Sequence, residues 1–407
     1  MEEVMNRRSL RRLAAALAAI PLLMVSSGSA AGRDAMLTFK VHVPESTPPD
    51  ASVFMAGNVD MLGPWDPGKI ELGRIGEHLY AITLVLPVGT ELRYKFTRGS
   101  WETVEKGPDF EEIADRELTV VGDEDVPVWV DNWRDFAPRR EVHTVVGNLR
   151  SHFDFPATKL GNKRTILVYL PDGYDEELER RYPVLYMHDG QNLFDAATSY
   201  IGVEWSVDET LTRMIASGRV EPLIVVGVCN TVDRAFEYTP APDKARGGGG
   251  AALYADFVVN DLKPFIDATY RTLPDWKHTG VMGSSLGGLA SLFLAWEHPE
   301  IFSKVGAMST TYGWADGHIL RYIEGRPAPG GIKVWLDMGT AEDRTDRNGD
   351  EVPDIIELHR SMRDILMAKG LEIPRSLRYV EDEGAVHNER AWAARFPRAV
   401  EFLFPAR

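Results

Sequence analysis

The run from His278 to Trp296, HTGVMGSSLGGLASLFLAW, constrains the fold more than any other stretch of this chain. An apolar, strand-like segment passes through Gly283-Ser284-Ser285-Leu286-Gly287 straight into what reads as an amphipathic helix from Leu286 to Glu297. A buried strand leading into a helix is the unit of a parallel sheet covered by helices. Other segments repeat it: RTILVYLP, YPVLYMHDG and EPLIVVGV read as strands, and a helix is predicted around Tyr254 to Thr269. Alternating strands and helices predict a mostly parallel sheet with helices on both faces.

The earlier half has a different rhythm. From about Leu37 to Trp133 short alternating apolar segments (LTFKVHV, SVFMAG, LYAITLVLP, ELRYKFT, RELTVVG, VPVWV) are punctuated by Gly, Pro and Asp. Period-two alternation with frequent turn residues predicts an all-β sandwich, here over residues 35–135. The stretch DNWRDFAPRREV reads as a linker, and the second domain as residues 141–407. The glycine run Gly247 to Gly250 reads as a mobile loop tip.

Arg7, Arg8, Arg11 and Arg12 precede an apolar run from Leu13 to Val25 and small residues up to Ala31. Residues 1–31 therefore read as a signal peptide cleaved after Ala30 or Ala31. The run is shorter than the roughly 20 residues of a membrane helix, so no integral membrane segment is expected after processing. The string NRRSLRRL resembles a twin-arginine export signal, and Glu2 and Glu3 suit an n-region poorly, which makes Met5 an alternative start. Removing residues 1–30 moves the net charge from −16 to −18. An acidic chain without a basic patch excludes nucleic acid as a partner. A single cysteine, Cys229, rules out an internal disulfide and reads as a packed thiol. The expected location is periplasmic or extracellular.

A serine hydroxyl becomes a nucleophile only when held exposed on a sharp turn beside a base and oxyanion donors. Ser285, flanked by glycines between strand and helix, fits that need. In sites of this kind the acid and then the histidine follow along the chain. His387, in the polar turn EDEGAVHNERAW, is the candidate base, whereas His298 in WEHPE reads as a helix C-terminal residue. Glu342, just past the strand KVWLDMG, is the candidate acid, with Asp343 and Asp337 behind it. The oxyanion donors are expected from the N–H groups of Leu286 and of Gln191 in VLYMHDGQNLFD, with His188 and Asp189 shaping that loop.

Several segments together carry a resemblance: RTILVYLPDGY, YPVLYMHDGQNLFD, EYTP, YADFVVNDLKPFID, GSSLGGLASLFLAWEHPEIFSKVGAMS and GAVHNERAW. From about Glu141 onward the chain resembles the putative-esterase family of feruloyl esterases, esterase D and enterochelin-esterase-like proteins. The resemblance implies an α/β-hydrolase fold, a Ser285, Glu342, His387 triad, and ester hydrolysis through an acyl-enzyme with no catalytic cofactor. Asp261 stands where relatives often carry Glu, which bears on helix packing. The front half, with VFMAGNVDMLGPWDP, ELRYKFTRGSWETVEKG and DRELTV, resembles starch-binding modules. That resemblance assigns Trp65 and Trp101 to stacking on sugar rings, and so an α-glucan partner. A tryptophan packed into the core is the competing expectation.

After the acid loop, Asp346, Asn348, Asp350, Val352, Asp354 and Glu357 stand at positions 1, 3, 5, 7, 9 and 12 of an EF-hand-type loop. A structural calcium ion is expected there, although Glu351 replaces the usual glycine. The sequence thus predicts an exported serine esterase acting on a carbohydrate-linked or small aromatic or siderophore-like ester. The alternatives are acyl transfer to a sugar hydroxyl and a non-catalytic glycan-binding protein.

Overall fold

The computed structural model describes residues 21–24, 33–63, 65–137, 143–200 and 202–406. The predicted signal peptide lies outside the described residues except for 21–24, where Leu22–Met24 pairs in parallel with Leu79–Pro87. The chain divides into two compact units, between residues 139 and 140.

In the first unit, Asp34–His42 pairs antiparallel with Leu79–Pro87 and parallel with Glu124–Trp129, and Gly73–Gly76 adds to Leu79–Pro87. A second sheet joins Phe54–Gly57, Glu91–Thr97 and Arg116–Thr119. Alternate residues of Asp34–His42 are buried, as a one-sided strand requires. Phe39, Val41, Ile82, Leu84, Met55, Leu92 and Phe96 from both sheets form one core. Trp133, at the start of the expected linker, closes that core and donates its indole N–H to Thr47 at 2.8 Å. Trp133 thus lies in the module, within the predicted bounds of residues 35–135, although it also falls in the linker-like stretch.

The second unit is built on a mixed, mostly parallel eight-stranded sheet. Its order is Asn148–Ala157, Asn162–Leu170, Ile224–Val228, Val184–His188, Thr279–Ser284, Lys304–Met308, Lys333–Gly339, Leu377–Asp382. Asn162–Leu170 runs antiparallel to both neighbours, and the strands from Ile224–Val228 onward are parallel. Val184–His188 is buried at every position, with Val184 and Tyr186 in one core and Leu185 and Met187 in the other. A sheet covered on both faces demands such continuous apolar strands. The helices Val207–Ala216 and Glu389–Leu403 cover one face. The helical run from Ala251 to Thr269, with a π-helical middle at Phe257–Leu262, covers the other, together with Leu286–Glu297, His318–Glu324 and Asp354–Ala368. Asp261, in the π-helical segment, accepts bonds from the Thr158 N–H at 2.8 Å and hydroxyl at 3.2 Å, a packing role.

Two expectations are corrected. Leu286–Glu297 is not amphipathic: every residue from Gly287 to Trp296 is buried, because the helix lies beneath other helices as well as on the sheet. The glycine run is not a free loop tip. Gly247–Gly248 pairs with Pro242–Asp243, and Gly247, Gly248 and Gly249 have φ of 71, 92 and 97. A Cβ on Gly248 would lie 2.3 Å from the Thr239 hydroxyl, so the glycines are there for a tight, packed turn.

Candidate active site

The parallel strands end on one edge of the sheet, and the predicted site residues follow those ends. Ser285 sits between Thr279–Ser284 and Leu286–Glu297 with φ 57 and ψ −121. A left-handed φ on a non-glycine residue costs about 1–3 kcal/mol, so neighbours must hold it. Here the Ser285 N–H donates to the Met308 carbonyl at 3.0 Å, while its own carbonyl accepts from Gly288 at 3.1 Å and Leu289 at 3.3 Å. The flanking glycines are a steric need: a Cβ on Gly283 would lie 2.8 Å from the Gly287 backbone and 2.9 Å from the His188 ring. The Ser285 hydroxyl is 3.1 Å from that of Thr311.

Glu342 follows Lys333–Gly339, and His387 follows the adjacent strand Leu377–Asp382. His387 Nδ1 lies 2.7 Å from Glu342 Oε2. The Glu342 side chain is 1% exposed and that of His387 35%, so the carboxylate is sealed while the imidazole reaches solvent. Burial raises the Glu342 pKa, but His387, the Ser309 hydroxyl and the Gly339 N–H at 2.6 Å outweigh it and hold the carboxyl below its ordinary value. The other two acids are differently placed. Asp343 accepts from the Thr345 N–H at 2.9 Å and hydroxyl at 2.8 Å. Asp337 points into the interior, fully buried, with Arg395 Nε 3.1 Å away, and burial pushes its pKa up to about 6 despite that cation.

Leu286 is the first residue of its helix, so its N–H has no partner within the helix. Gln191 lies in the 3-10 turn Gly190–Asn192, entered through Asp189 at φ 57. This turn lies against the Ser285 turn, since a Cβ on Gly287 would meet His188 Cβ at 3.3 Å and Asp189 Oδ2 at 3.6 Å. His188 shapes the turn from within: it is buried, its Nδ1 is 2.9 Å from the Tyr254 hydroxyl, and burial lowers its pKa to about 4. Asp189 is clamped by Arg234 through bonds of 2.7 and 2.8 Å and by Asn230 at 2.6 Å. Cys229 lies just past the strand Ile224–Val228, and burial raises its thiol to about 12.

Sequence reasoning missed four residues here. Ser309, at φ 44 after Lys304–Met308, donates to Glu342 and accepts from Trp392 Nε1 at 2.9 Å and Arg395 at 2.7 Å. Trp392 meets His387 edge-on at 5.0 Å, and Thr311 touches Ser285. The available signal was KVGAM, a strand between the serine and acid strands whose following residues must face the site.

In the first unit, Trp65 and Trp101 are partly exposed with ring centroids 6.3 Å apart, so neither is core. Trp129 is 59% exposed and stacks on His42 at 5.1 Å. In the predicted calcium loop the side-chain oxygens accept from the loop's own N–H groups: Asp346 from Gly349 and Glu351, Asn348 from Asp350, and Asp350 from Val352. Glu351 takes φ 69, the left-handed turn that glycine usually makes. Asp354 accepts from Arg347 N–H, and Glu357 from the Asn348 amide at 3.0 Å.

Residues 157–403 match the family described as "Putative esterase". The chain belongs to that family. Residues 35–127 of the esterase match the "Starch binding domain" family. The endo-1,4-beta-xylanase/feruloyl esterase of Xylanibacter ruminicola is 28% identical over 180 residues, 43% of this chain and 23% of that protein. The alpha-amylase of Niallia circulans is 41% identical over 100 residues, 24% of this chain and 8% of the amylase. The enterobactin esterase FES of Shigella flexneri, solved in the presence of 2,3-di-hydroxy-N-benzoyl-serine, shares the fold. It is 16% identical, with a TM-score of 0.52 over 90% of this chain and 92% of that one. The protein is thus an esterase with a starch-binding-type module. Among the described residues no helix is long and apolar enough to cross a membrane.

Proposed function

We propose that this esterase is a serine carboxylic-ester hydrolase of the α/β-hydrolase fold working through an acyl-enzyme. The observation that carries the reading is the 2.7 Å contact between His387 and a buried Glu342, two strands along the same sheet edge from a left-handed Ser285. The strand order, with only the second strand antiparallel, supports the fold assignment. In this reading His387 takes the Ser285 proton as the oxygen attacks the ester carbonyl, and Glu342 keeps Nδ1 protonated and the ring oriented. The N–H groups of Leu286 and Gln191 receive the developing oxyanion. His387 then protonates the departing alcohol, and water repeats the sequence to release the acid.

The substrate class is a carbohydrate-linked or small aromatic or siderophore-like ester, in keeping with the feruloyl esterase among its relatives. The front module would hold an α-glucan through Trp65 and Trp101, and the chain would be exported. A calcium ion at Asp346, Asn348, Asp350, Val352, Asp354 and Glu357 would brace the Glu342 loop. The test is Ser285→Ala against feruloyl and p-nitrophenyl esters. A folded variant should lose at least about 10³-fold in kcat/KM, and one retaining more than a few per cent would end the reading. On an amylose column, Trp65→Ala and Trp101→Ala should each abolish retention of the full chain without lowering its melting temperature.

A further inference from the structure

The turn entering the helix Val207–Ala216 gathers three carboxylates: Glu204 before the helix, Asp208 and Glu209 in its first turn. One oxygen of each lies within 4.8 Å of the other two. Two acids in a first turn are ordinary, since they face the positive end of the helix. The third acid and the burial are not. Glu204 is 7% exposed and Asp208 0%. Glu204 Oε2, Asp208 Oδ1 and Glu209 Oε2 are each sealed from solvent with no hydrogen-bond donor from outside the cluster, Asp208 and Glu209 pairing only with one another. The companion oxygens are already held, by the Thr144 hydroxyl on Glu204 Oε1 and by the Val146 N–H on Asp208 Oδ2 at 2.7 Å. The charges acting on Glu204 and Asp208 are other carboxylates, Glu209 and Asp195, with no lysine or arginine among them. Buried charge of one sign costs several kcal/mol per ion unless something compensates it.

We propose that Glu204, Asp208 and Glu209 are the protein ligands of a structural calcium ion, distinct from the loop at residues 346–357. An all-oxygen donor set selects a hard cation over zinc or copper, which favour nitrogen and sulfur. Calcium accepts several carboxylates at about 2.3–2.6 Å in irregular geometry, so it can bridge three oxygens this close without backbone movement. Magnesium demands a near-ideal octahedron and tends to keep its waters. The ion would fix a wall of the candidate active site. The Trp205 and Trp392 rings meet at a tilt with centroids 5.8 Å apart, Trp392 meets His387 at 5.0 Å, and the Trp205 backbone N–H donates to the Asn192 carbonyl at 2.9 Å beside Gln191. The proposal rests on burial and charge, and stands whether or not Ser285 is the nucleophile.

The experiment uses the full chain, stripped with EDTA and desalted, melted with and without millimolar calcium, and assayed for bound metal by elemental analysis. Asp350→Ala removes the loop at 346–357 from consideration. In that background the expectation is one calcium per chain and a melting temperature raised by about 5 °C at saturating calcium. Glu209→Gln, at the least buried of the three positions, should need at least about tenfold more calcium for the same shift, and Glu204→Gln likewise. Absence of bound calcium and of any shift in the Asp350→Ala protein overturns the site, as does an unaltered calcium response in both glutamine variants. A shift with magnesium but not calcium overturns the choice of ion. A higher melting temperature for Glu209→Gln with no calcium response in the parent means that a shared proton relieves the cluster, and also overturns it.

Discussion

Two of the regions in which the esterase unit buries carboxylates neutralise them in opposite ways. At the sheet edge Asp337 and Glu342 share Arg395, whose guanidinium lies 3.1 Å from the first and 3.5 Å from the second. Trp335, Ser309 and the Gly339 N–H supply further donors. Around the helix Val207–Ala216, Glu204, Asp208 and Glu209 have two donors for their outer oxygens and none from outside the cluster for the inner three. One region carries its countercharge in the chain, and the other is shaped to receive it from solution. Even within the first region a shift of five residues reverses the electrostatics. Glu342, past the strand end, collects enough donors to sit below its ordinary pKa, whereas Asp337, inside the strand, is raised to about 6.

The sharpest way to break this comparison is kinetic. Glu342→Gln should lower kcat/KM on an activated ester by about 10²–10⁴-fold, because the imidazole loses its orienting charge, while Asp337→Asn should cost less than about tenfold. Equal losses from the two would mean that strand position does not separate their roles. Next comes stability. Arg395→Met strands two buried carboxylates, and a urea titration should show a loss of about 3–5 kcal/mol, partly recovered by adding Asp337→Asn. The second region has no arginine to remove, so its equivalent is withdrawal of calcium. The smallest effect is in pH dependence. Asp337 has a folded pKa of about 6 against an unfolded value of about 3.9, so the folded state binds the extra proton between them. Its contribution to stability should therefore fall as pH rises across that window and level off above it, and Asp337→Asn should flatten that part of the profile. Glu342, shifted the other way, contributes stability above its unfolded pKa that is lost as pH falls through the folded one. A profile for Asp337→Asn that keeps the wild-type fall between about pH 4 and 6 would assign the titration elsewhere.

Much of the fold was legible because its signals are local. The continuous apolar runs at Val184–His188, Ile224–Val228 and Thr279–Ser284 are what a sheet covered on both faces needs. Asn148–Ala157 and Lys304–Met308 were not singled out: the first is an edge strand with a single buried residue, and the second is interrupted by Gly306. The amphipathic reading of Leu286–Glu297 failed because periodicity cannot tell how many neighbours a helix has. Trp133, where the predicted module overlaps the linker-like DNWRDFAPRREV, belongs to the module because it is apolar enough to complete a core assembled from distant strands.

By itself the sequence determined the Ser285 turn, since glycines at 283 and 287 and the change from strand to helix lie within a few residues of one another. It also determined the order of serine, acid and histidine along the chain, and the alternation that sets the two halves apart. Only the tertiary structure decided that Glu342 and not Asp337 meets His387, that Ser309 and Arg395 hold that carboxylate, and that Glu204 closes on Asp208 and Glu209. The reason is physical. A turn is specified by backbone conformations that neighbouring residues dictate, whereas the charge state of a buried carboxylate depends on donors and cations brought to it from strands and helices far along the chain.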